Sequence, residues 1–167
     1  INGSVNLEDS ANQIIDATVD LKDTRVSLVE TYLRSVFSEM DGRAKGKLRI
    51  VGKVSEPELI GSIKLADAGV KVDYTGVYYK LDNPTIEFKP GMIDIGQIVM
   101  TDELGNTGVA SGSMQHKFFK DMVFNFSASS NKMLVINTNK LENDIFHGRV
   151  IGDVNFAFQG PENNMKM

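Results

Sequence analysis

Short stretches in which apolar and polar residues alternate with a period of two run through almost the whole chain. This period places every second side chain on the same face of a β-strand, so each stretch is typical of a strand with one buried face. Turn-forming segments such as Thr75-Gly76, Lys89-Pro90-Gly91 and Gly105-Asn106 separate the stretches. The sequence therefore predicts a mainly β fold, an antiparallel meander of ten or more short strands.

One segment has helical spacing instead. Ser27 and Glu30 form the S-x-x-E pattern of a capping box, and the apolar residues that follow recur every three or four positions. Asp41-Gly42 supplies a stop, because glycine adopts the left-handed conformation that ends helices. We expect one short amphipathic helix over Ser27–Met40. Its apolar stripe would pack on the sheet, or else contact a neighbouring repeat or a membrane interface.

Composition excludes several classes of function. The 167 residues are 41% hydrophobic, enough for a core without disulfides or metal. A net charge of −4 with scattered basic residues argues against nucleic acid as a partner. The absence of cysteine removes thiolate metal sites and cysteine nucleophiles. No apolar run of 18 residues occurs, and no linker or second composition class divides the chain.

An ordered series of glycine-punctuated segments resembles the C-terminal region of the TamB family, within the AsmA-like superfamily. The most specific part is the pattern G-x-L-x-[IV]-x-G followed by P-x-[LI]-x-G-x-[IL]-x-L. The asparagine-rich turns resemble those of members from Bacteroidetes. The resemblance extends from about Val26 to Pro161 and is carried by Gly46–Gly52, Pro57–Leu65, Thr85–Phe88, Thr101–Asn106, Gly112–His116, Asn137–Thr138, Phe146–Gly148 and Gly152–Phe156.

The resemblance implies a curled, taco-like β-sheet with a hydrophobic groove in a periplasmic protein that is anchored in the inner membrane. Such proteins carry phospholipid between membranes and, with an outer-membrane partner of the TamA type, support outer-membrane protein assembly. The chain starts without an initiator Met and shows no leader, so we expect one segment of a longer repetitive β domain. Within it we predict leading strands over 1–25, the helix and its turn over 26–42, and the meander over 43–160.

A groove for acyl chains needs apolar residues on successive strands and no polar anchor. The expected partners are phospholipid acyl chains and adjoining repeats of the same chain. A second copy of the chain is also expected to pair with the unpaired edge strands of the sheet. The same pattern fits a protein-interaction scaffold or a closed β-sandwich. The candidate lining residues are Leu48, Ile50, Val54, Ile63, Leu65, Val72, Tyr74, Val77, Tyr79, Leu81, Ile86, Phe88, Ile93, Ile95, Phe124, Phe126, Val154, Phe156 and Phe158.

Catalysis is not expected. His116 and His147 are the only histidines, and neither lies in a spacing that would assemble a metal site with nearby acids. Asp102 and Glu103 are adjacent, so they point to opposite faces of a strand or belong to a turn. We therefore predict no catalytic residue, no metal and no cofactor.

Three further features allow alternative interpretations. Five basic residues between positions 43 and 53 form one local cluster, either as a solvated strand face or as a patch for anionic headgroups. Gly108, Ala110 and Gly112 share a face, which favours tight coiling, room for a ligand, or a bulge at an edge. Phe118 and Phe119 are consecutive and so indicate a turn or a bulge. The basic residues are Arg43, Lys45, Lys47, Arg49 and Lys53.

Overall fold

The computed structural model describes residues 2–6, 13–33, 37–141, 143–145 and 147–161. Ten strands form one sheet in the order β1-β2-β3-β4-β5-β7-β8-β9-β10, and β6 pairs with β4 and β7. Every pairing is antiparallel. The strands are β1 (Asn2–Asn6), β2 (Ile14–Arg25), β3 (Phe37–Lys53), β4 (Glu56–Val72), β5 (Val77–Leu81), β6 (Thr85–Lys89), β7 (Met92–Thr101), β8 (Thr107–Lys117), β9 (Lys120–Thr138) and β10 (Gly148–Pro161). The prediction of a mainly β antiparallel meander is confirmed.

The helix is much shorter than the predicted span of Ser27–Met40. A 3-10 turn over Val26–Val29 continues into α1, which covers Glu30–Leu33. The expected capping box does not form, because no side chain caps the 3-10 turn and the Glu30 carboxylate instead accepts the backbone N–H of Met40 at 3.1 Å. Residues 34–36 of the predicted helix lie outside the described residues.

The prediction of helix and turn is wrong for residues 37–42. These residues belong to β3. Phe37 pairs with Val72 at the end of β4, so inter-strand hydrogen bonds replace the helical ones. Gly42, the predicted helix stop, lies within the strand beside two register shifts. Tertiary pairing has therefore overridden the local helical pattern.

Two predicted turns are bulges or irregularities inside long strands. Asp67-Ala68-Gly69 lies within the 17 residues of β4, with a positive φ at Asp67, and Ser130-Asn131 lies within the 19 residues of β9. β4 pairs with two strands in succession: its first half pairs with β6, and its second half pairs with β5. A bulge absorbs the extra residue without ending the strand.

The hairpin between β8 and β9 turns at Phe118 and Phe119, as the sequence indicated. Both residues have positive φ, and Lys117 pairs with Lys120 across them. Two positive φ values are the mark of a two-residue type I′ turn, whose twist matches that of the flanking strands. The turns at Thr75-Gly76, Lys89-Pro90-Gly91 and Gly105-Asn106 also lie between strands.

Among the described residues, buried apolar side chains form two small clusters and not one continuous core. The first joins the 3-10 turn to β3 and β4 through Val26, Ala44, Leu65 and Ala68. The second joins β5 to the last part of β9 through Val77, Tyr79, Met133 and Leu134. Both clusters lie toward the end of the sheet where β3 begins and β9 ends.

The row of small residues on β8 is filled by the protein's own side chains. The ring of Phe126 covers Gly112, where a Cβ atom would lie 2.3 Å from ring carbon Cδ1 and 2.5 Å from the carbonyl oxygen of Asn125. Met133 covers Gly108 in the same way, with its Cε 3.0 Å from a Cβ position. The interpretation of this row as space for a ligand is therefore wrong for these two glycines.

The Gly112→Ala substitution should lower the free energy of unfolding by about 1–3 kcal/mol, because neither the ring nor the backbone oxygen leaves room for a methyl group. Gly152→Ala is the matched control, since no atom lies within 4 Å of its Cβ position. We expect that variant to be as stable as the parent chain in urea unfolding. Equal stability of both variants would contradict the packing of Phe126 on Gly112.

Candidate functional site

An apolar row crosses the sheet at right angles to the strands. Directly opposed residues of an antiparallel pair have their side chains on the same face. Val19 on β2 opposes Leu48, Leu48 opposes Gly61, Gly61 opposes Phe88, and Phe88 opposes Ile93 on β7. We call Val19, Leu48, Gly61, Phe88 and Ile93 the open row. It spans five neighbouring strands, four spacings of about 4.8 Å, and so extends about 19 Å.

The open row lies outside both buried clusters. Its side-chain-bearing members are all half-buried, neither covered like core residues nor fully in water. A second row of half-buried residues, Ala17, Ile50 and Leu59, runs beside it. Past Ile93 the register continues to Met114 and Phe124, which are buried.

The chain as a whole has a large accessible surface, 10700 Å². A compact globular protein of 18.4 kDa exposes roughly 8200 Å². The described strands form one hydrogen-bonded sheet, not two stacked ones.

The predicted lining residues fall into distinct groups. Leu48, Phe88 and Ile93 belong to the open row, Ile50 lies in the row beside it, and Phe124 extends it. Ile63, Leu65, Leu81 and Ile86 lie in or against the first cluster. Val72, Val77, Tyr79 and Val154 lie in or against the second cluster.

The remaining candidates lie elsewhere. Val54 and Tyr74 were expected on strands but occupy the connections after β3 and β4, where they are exposed. Ile95 sits in the bulge of β7 between Asp94 and Gly96. Phe126 opposes Gly112, Phe156 opposes Ala128, and the backbone of Phe158 pairs with Phe126.

Sequence reasoning missed Val19 and Leu59 as members of the half-buried face. Both were visible as alternating apolar residues, but their place depends on the cross-strand register. Bulges in β2, β3 and β7 shift that register, and a shift of one residue exchanges the faces. The only signal in the sequence was the alternation itself.

A buried carboxylate joins the hairpin of β7 and β8 to the last part of β9. Asp102 is 4% exposed. Its Oδ1 accepts the backbone N–H groups of Leu104 and Asn106 at 2.9 and 2.8 Å, and its Oδ2 accepts the N–H of Leu134 at 2.7 Å. The Asn106 amide also donates to Oδ2 at 3.0 Å. We call this arrangement the Asp102 junction.

The junction extends to β5 through Leu134, which is fully buried. The hydroxyl of Tyr79 donates to the Leu134 carbonyl oxygen at 2.9 Å. Nearby, the N–H of Asn137 donates to the carbonyl oxygen of Thr75 at 2.8 Å. In a flat sheet β5 and β9 would lie about 14 Å apart, since β7 and β8 separate them. The sheet therefore folds back at this end, around the tip of the β7–β8 hairpin.

Two pKa shifts accompany the junction. Burial opposes ionisation of Asp102, but the hydrogen bonds from Asn106, Leu134 and Leu104 outweigh it and leave the pKa of that carboxyl below its ordinary value. Burial raises the pKa of Tyr79 to about 12, and the charges of Asp102 and Glu103 add to the effect. At neutral pH the carboxylate is therefore charged and the phenol keeps the proton it donates.

The histidines occupy structural or exposed positions. His116 stacks on Phe119 with ring centroids 4.4 Å apart, and its Nδ1 accepts the N–H of Phe119 at 3.1 Å. His147 is exposed in the connection before β10. Among the described residues, no group of three or more His, Asp or Glu side chains could hold a metal ion.

In comparisons with known proteins, no family model, curated protein or solved structure matches the chain. In the described part of the chain, no helix has the length and apolar character needed to cross a membrane.

We predict that Asp102→Asn lowers the free energy of unfolding at pH 7 by about 2–4 kcal/mol. An amide NH₂ cannot accept the N–H groups that converge on the carboxylate, and a buried unsatisfied partner costs about 1–3 kcal/mol, more beside a charge. Asp20→Asn, on the exposed face of β2, is the control and should change stability little. Urea unfolding of the three proteins measures the difference.

The same carboxylate makes stability depend on pH. Because the pKa of Asp102 is lower in the folded chain than in the unfolded one, where it is about 3.9, its contribution is complete above pH 4 to 5. The contribution disappears as the pH falls through the folded pKa. The stability difference between the parent chain and Asp102→Asn should therefore shrink in acid, and a difference that stays constant down to pH 2 would contradict this assignment.

Proposed function

We propose that the half-buried apolar face binds phospholipid acyl chains, as a segment of a periplasmic bridge that moves lipid between membranes and supports outer-membrane biogenesis. The observation that carries the proposal is the open row, a continuous apolar track across five strands. A closed sandwich would cover such a row with a second sheet, whereas the described strands form a single one. The curled, taco-like groove belongs to this proposal.

The dimensions of the open row suit one acyl chain. Its length of about 19 Å exceeds half the thickness of a bilayer's hydrocarbon core, about 15 Å, which is the depth that one acyl chain fills. Each methylene removed from water contributes about 0.8 kcal/mol, so about 14 methylenes would gain on the order of 10 kcal/mol if fully buried. One-sided contact with an open sheet gives less, which suits a track that must release its lipid.

The chemistry of the open row also suits movement along it. Its side chains are aliphatic or aromatic and carry no hydrogen-bonding group, so attraction to a chain is non-directional. Successive members lie about 4.8 Å apart along the row, and even the gap of about 9.6 Å between the side chains of Leu48 and Phe88 is shorter than an acyl chain, so a moving chain keeps contact with the row. Gly61 contributes no side chain and leaves a shallow step between Leu48 and Phe88.

Photo-crosslinking residues placed at Leu48, Phe88 and Ile93 should capture phospholipid in cells. Controls at Gln97, Gln115 and Asn125 use exposed positions on β7, β8 and β9 that lie on the opposite face of the sheet. Mass spectrometry of the crosslinked chain identifies the adduct. Lipid adducts confined to the three row positions support the proposal, whereas adducts only to protein, or equal lipid capture at the control positions, would contradict it.

A second candidate function is a scaffold that adds a partner strand at the sheet edge. Among the described strands, the 14 residues of β10 pair only with β9, and Val150, Ile151 and Phe156 are all exposed by 40% or more. A long edge strand with exposed apolar side chains is a template for another strand. An outer-membrane protein of the TamA type, an adjoining repeat or a second copy would fit this edge.

Ile151→Lys should abolish co-purification of a TamA-type partner, because a lysine on an edge strand opposes strand addition. The control Gln97→Lys places the same charge on the exposed side of β7, an interior strand, and should leave capture intact. Lipid crosslinking at the open row should persist in both variants. Unchanged capture by Ile151→Lys would exclude β10 as the partner edge.

A further inference from the structure

Three lysines converge on the face of the sheet opposite to the open row. Lys45 on β3 directly opposes Lys64 on β4, and Lys47 lies two residues along from Lys45. Directly opposed residues have Cβ atoms about 5 Å apart, and diagonal ones about 7–8 Å. Lysine side chains are long enough to bring three ammonium groups together from these positions. We call Lys45, Lys47 and Lys64 the lysine cluster.

Three neighbouring cations are paired with acids, whereas the cluster is not. Arg49 bonds Asp16 at 2.6 Å, and Arg43 lies 3.7 Å from Asp23. Lys89 bridges Glu87 and Asp94 at 2.9 and 3.1 Å. Among the described residues no ion pair involves a member of the cluster. Asp20 opposes Lys47 from β2 without forming one.

The cluster lines a shallow depression of about 620 Å³. Two residues with hydroxyl groups also line it: Ser62 opposes Lys47, and Thr85 opposes Lys64. Four lysines and one glutamate line the depression, a net charge of +3 by subtraction, in a chain whose overall charge is −4. Positive charge and hydroxyl donors together are the chemistry that binds a phosphate group.

Direct opposition of like charges destabilises a sheet. An acid at position 45 or 64 would remove that repulsion, as acids do for the neighbouring arginines. An anion supplied from outside removes it equally well. The geometry points to the lysine cluster as a docking site for the phosphates of anionic phospholipid headgroups at a bilayer surface.

A bilayer is the source of phosphate that fits the shape of this site. The depression is open on the sheet face and does not enclose a ligand, so a free anion would stay largely in water. A membrane surface presents many phosphates in a plane and holds them at a negative potential. Ile60, 39% exposed at the rim, adds an apolar contact for the interfacial region. The lysine cluster lies on the other face of the sheet from the open row, although Gly61 and Phe88 of that row also border the depression, and phosphate docking does not depend on acyl-chain binding.

The test compares two triple variants with the parent chain. One carries Lys45→Gln, Lys47→Gln and Lys64→Gln; the control carries Lys80→Gln, Lys120→Gln and Lys132→Gln, three exposed lysines that lie elsewhere on the sheet. Both lose the same charge. Binding is measured by co-sedimentation with vesicles of phosphatidylglycerol or of phosphatidylcholine.

We expect the parent chain and the control to bind phosphatidylglycerol vesicles and the cluster variant to bind about a hundredfold more weakly, since each lysine near an anionic surface contributes about fivefold. Binding should disappear near 1 M NaCl, because the Debye length there is about 3 Å and salt screens the attraction between the lysines and the vesicle surface. Urea unfolding should show the cluster variant at least as stable as the parent, which separates lost binding from lost folding.

Three results would overturn the inference. Equal losses in both triple variants would mean that net charge alone attracts the vesicles. Absence of vesicle binding by the parent chain would show that the lysine cluster does not dock on a bilayer. Perturbation of the cluster by inorganic phosphate in an NMR titration, without vesicle binding, would assign it to a free anion instead. Lipid crosslinking at the open row is a separate readout, so its failure would leave this result unchanged.

Discussion

The charged hydrogen bonds of the Asp102 junction hold the shape of the sheet. One carboxylate binds the backbone N–H groups of Leu104, Asn106 and Leu134, so it fixes the β7–β8 turn and the last part of β9 together. Without it, the backbone N–H of Leu134, a member of the second cluster, would be a buried unsatisfied donor at a cost of about 1–3 kcal/mol. The hydroxyl of Tyr79 donates to the carbonyl oxygen of Leu134, so β5 is held to the same part of β9.

This fold-back divides the apolar face into two parts. Toward the junction, the 3-10 turn and the end of β9 cover the sheet and produce the two buried clusters. Farther along the strands no element of the described chain covers the open row, and its side chains remain half-buried. The arrangement that stabilises the domain at one end therefore leaves an apolar track at the other, and the proposed lipid binding depends on that division.

The two faces of the central strands carry different chemistry. On β3, Leu48 contributes to the open row while the adjacent Lys47 belongs to the lysine cluster. A strand separates such groups by its pleat alone, because successive side chains point to opposite faces. The two proposed ligands, acyl chains and headgroup phosphates, would thus occupy different surfaces of the same strands.

The period-two alternation by itself determined the strands, most of the hairpin turns and the absence of a long apolar span. It also placed Leu48, Phe88 and Ile93 on one kind of face. It did not determine the length of the helix, because the pairing of Phe37 with Val72 is a contact between residues 35 positions apart. It did not separate the lining candidates that are buried from those that are open, since bulges reset the register, and the 3-10 turn and the Asp102 junction together decide which part of the face is covered. Alternation is a local property, whereas the path of a sheet depends on contacts made across it.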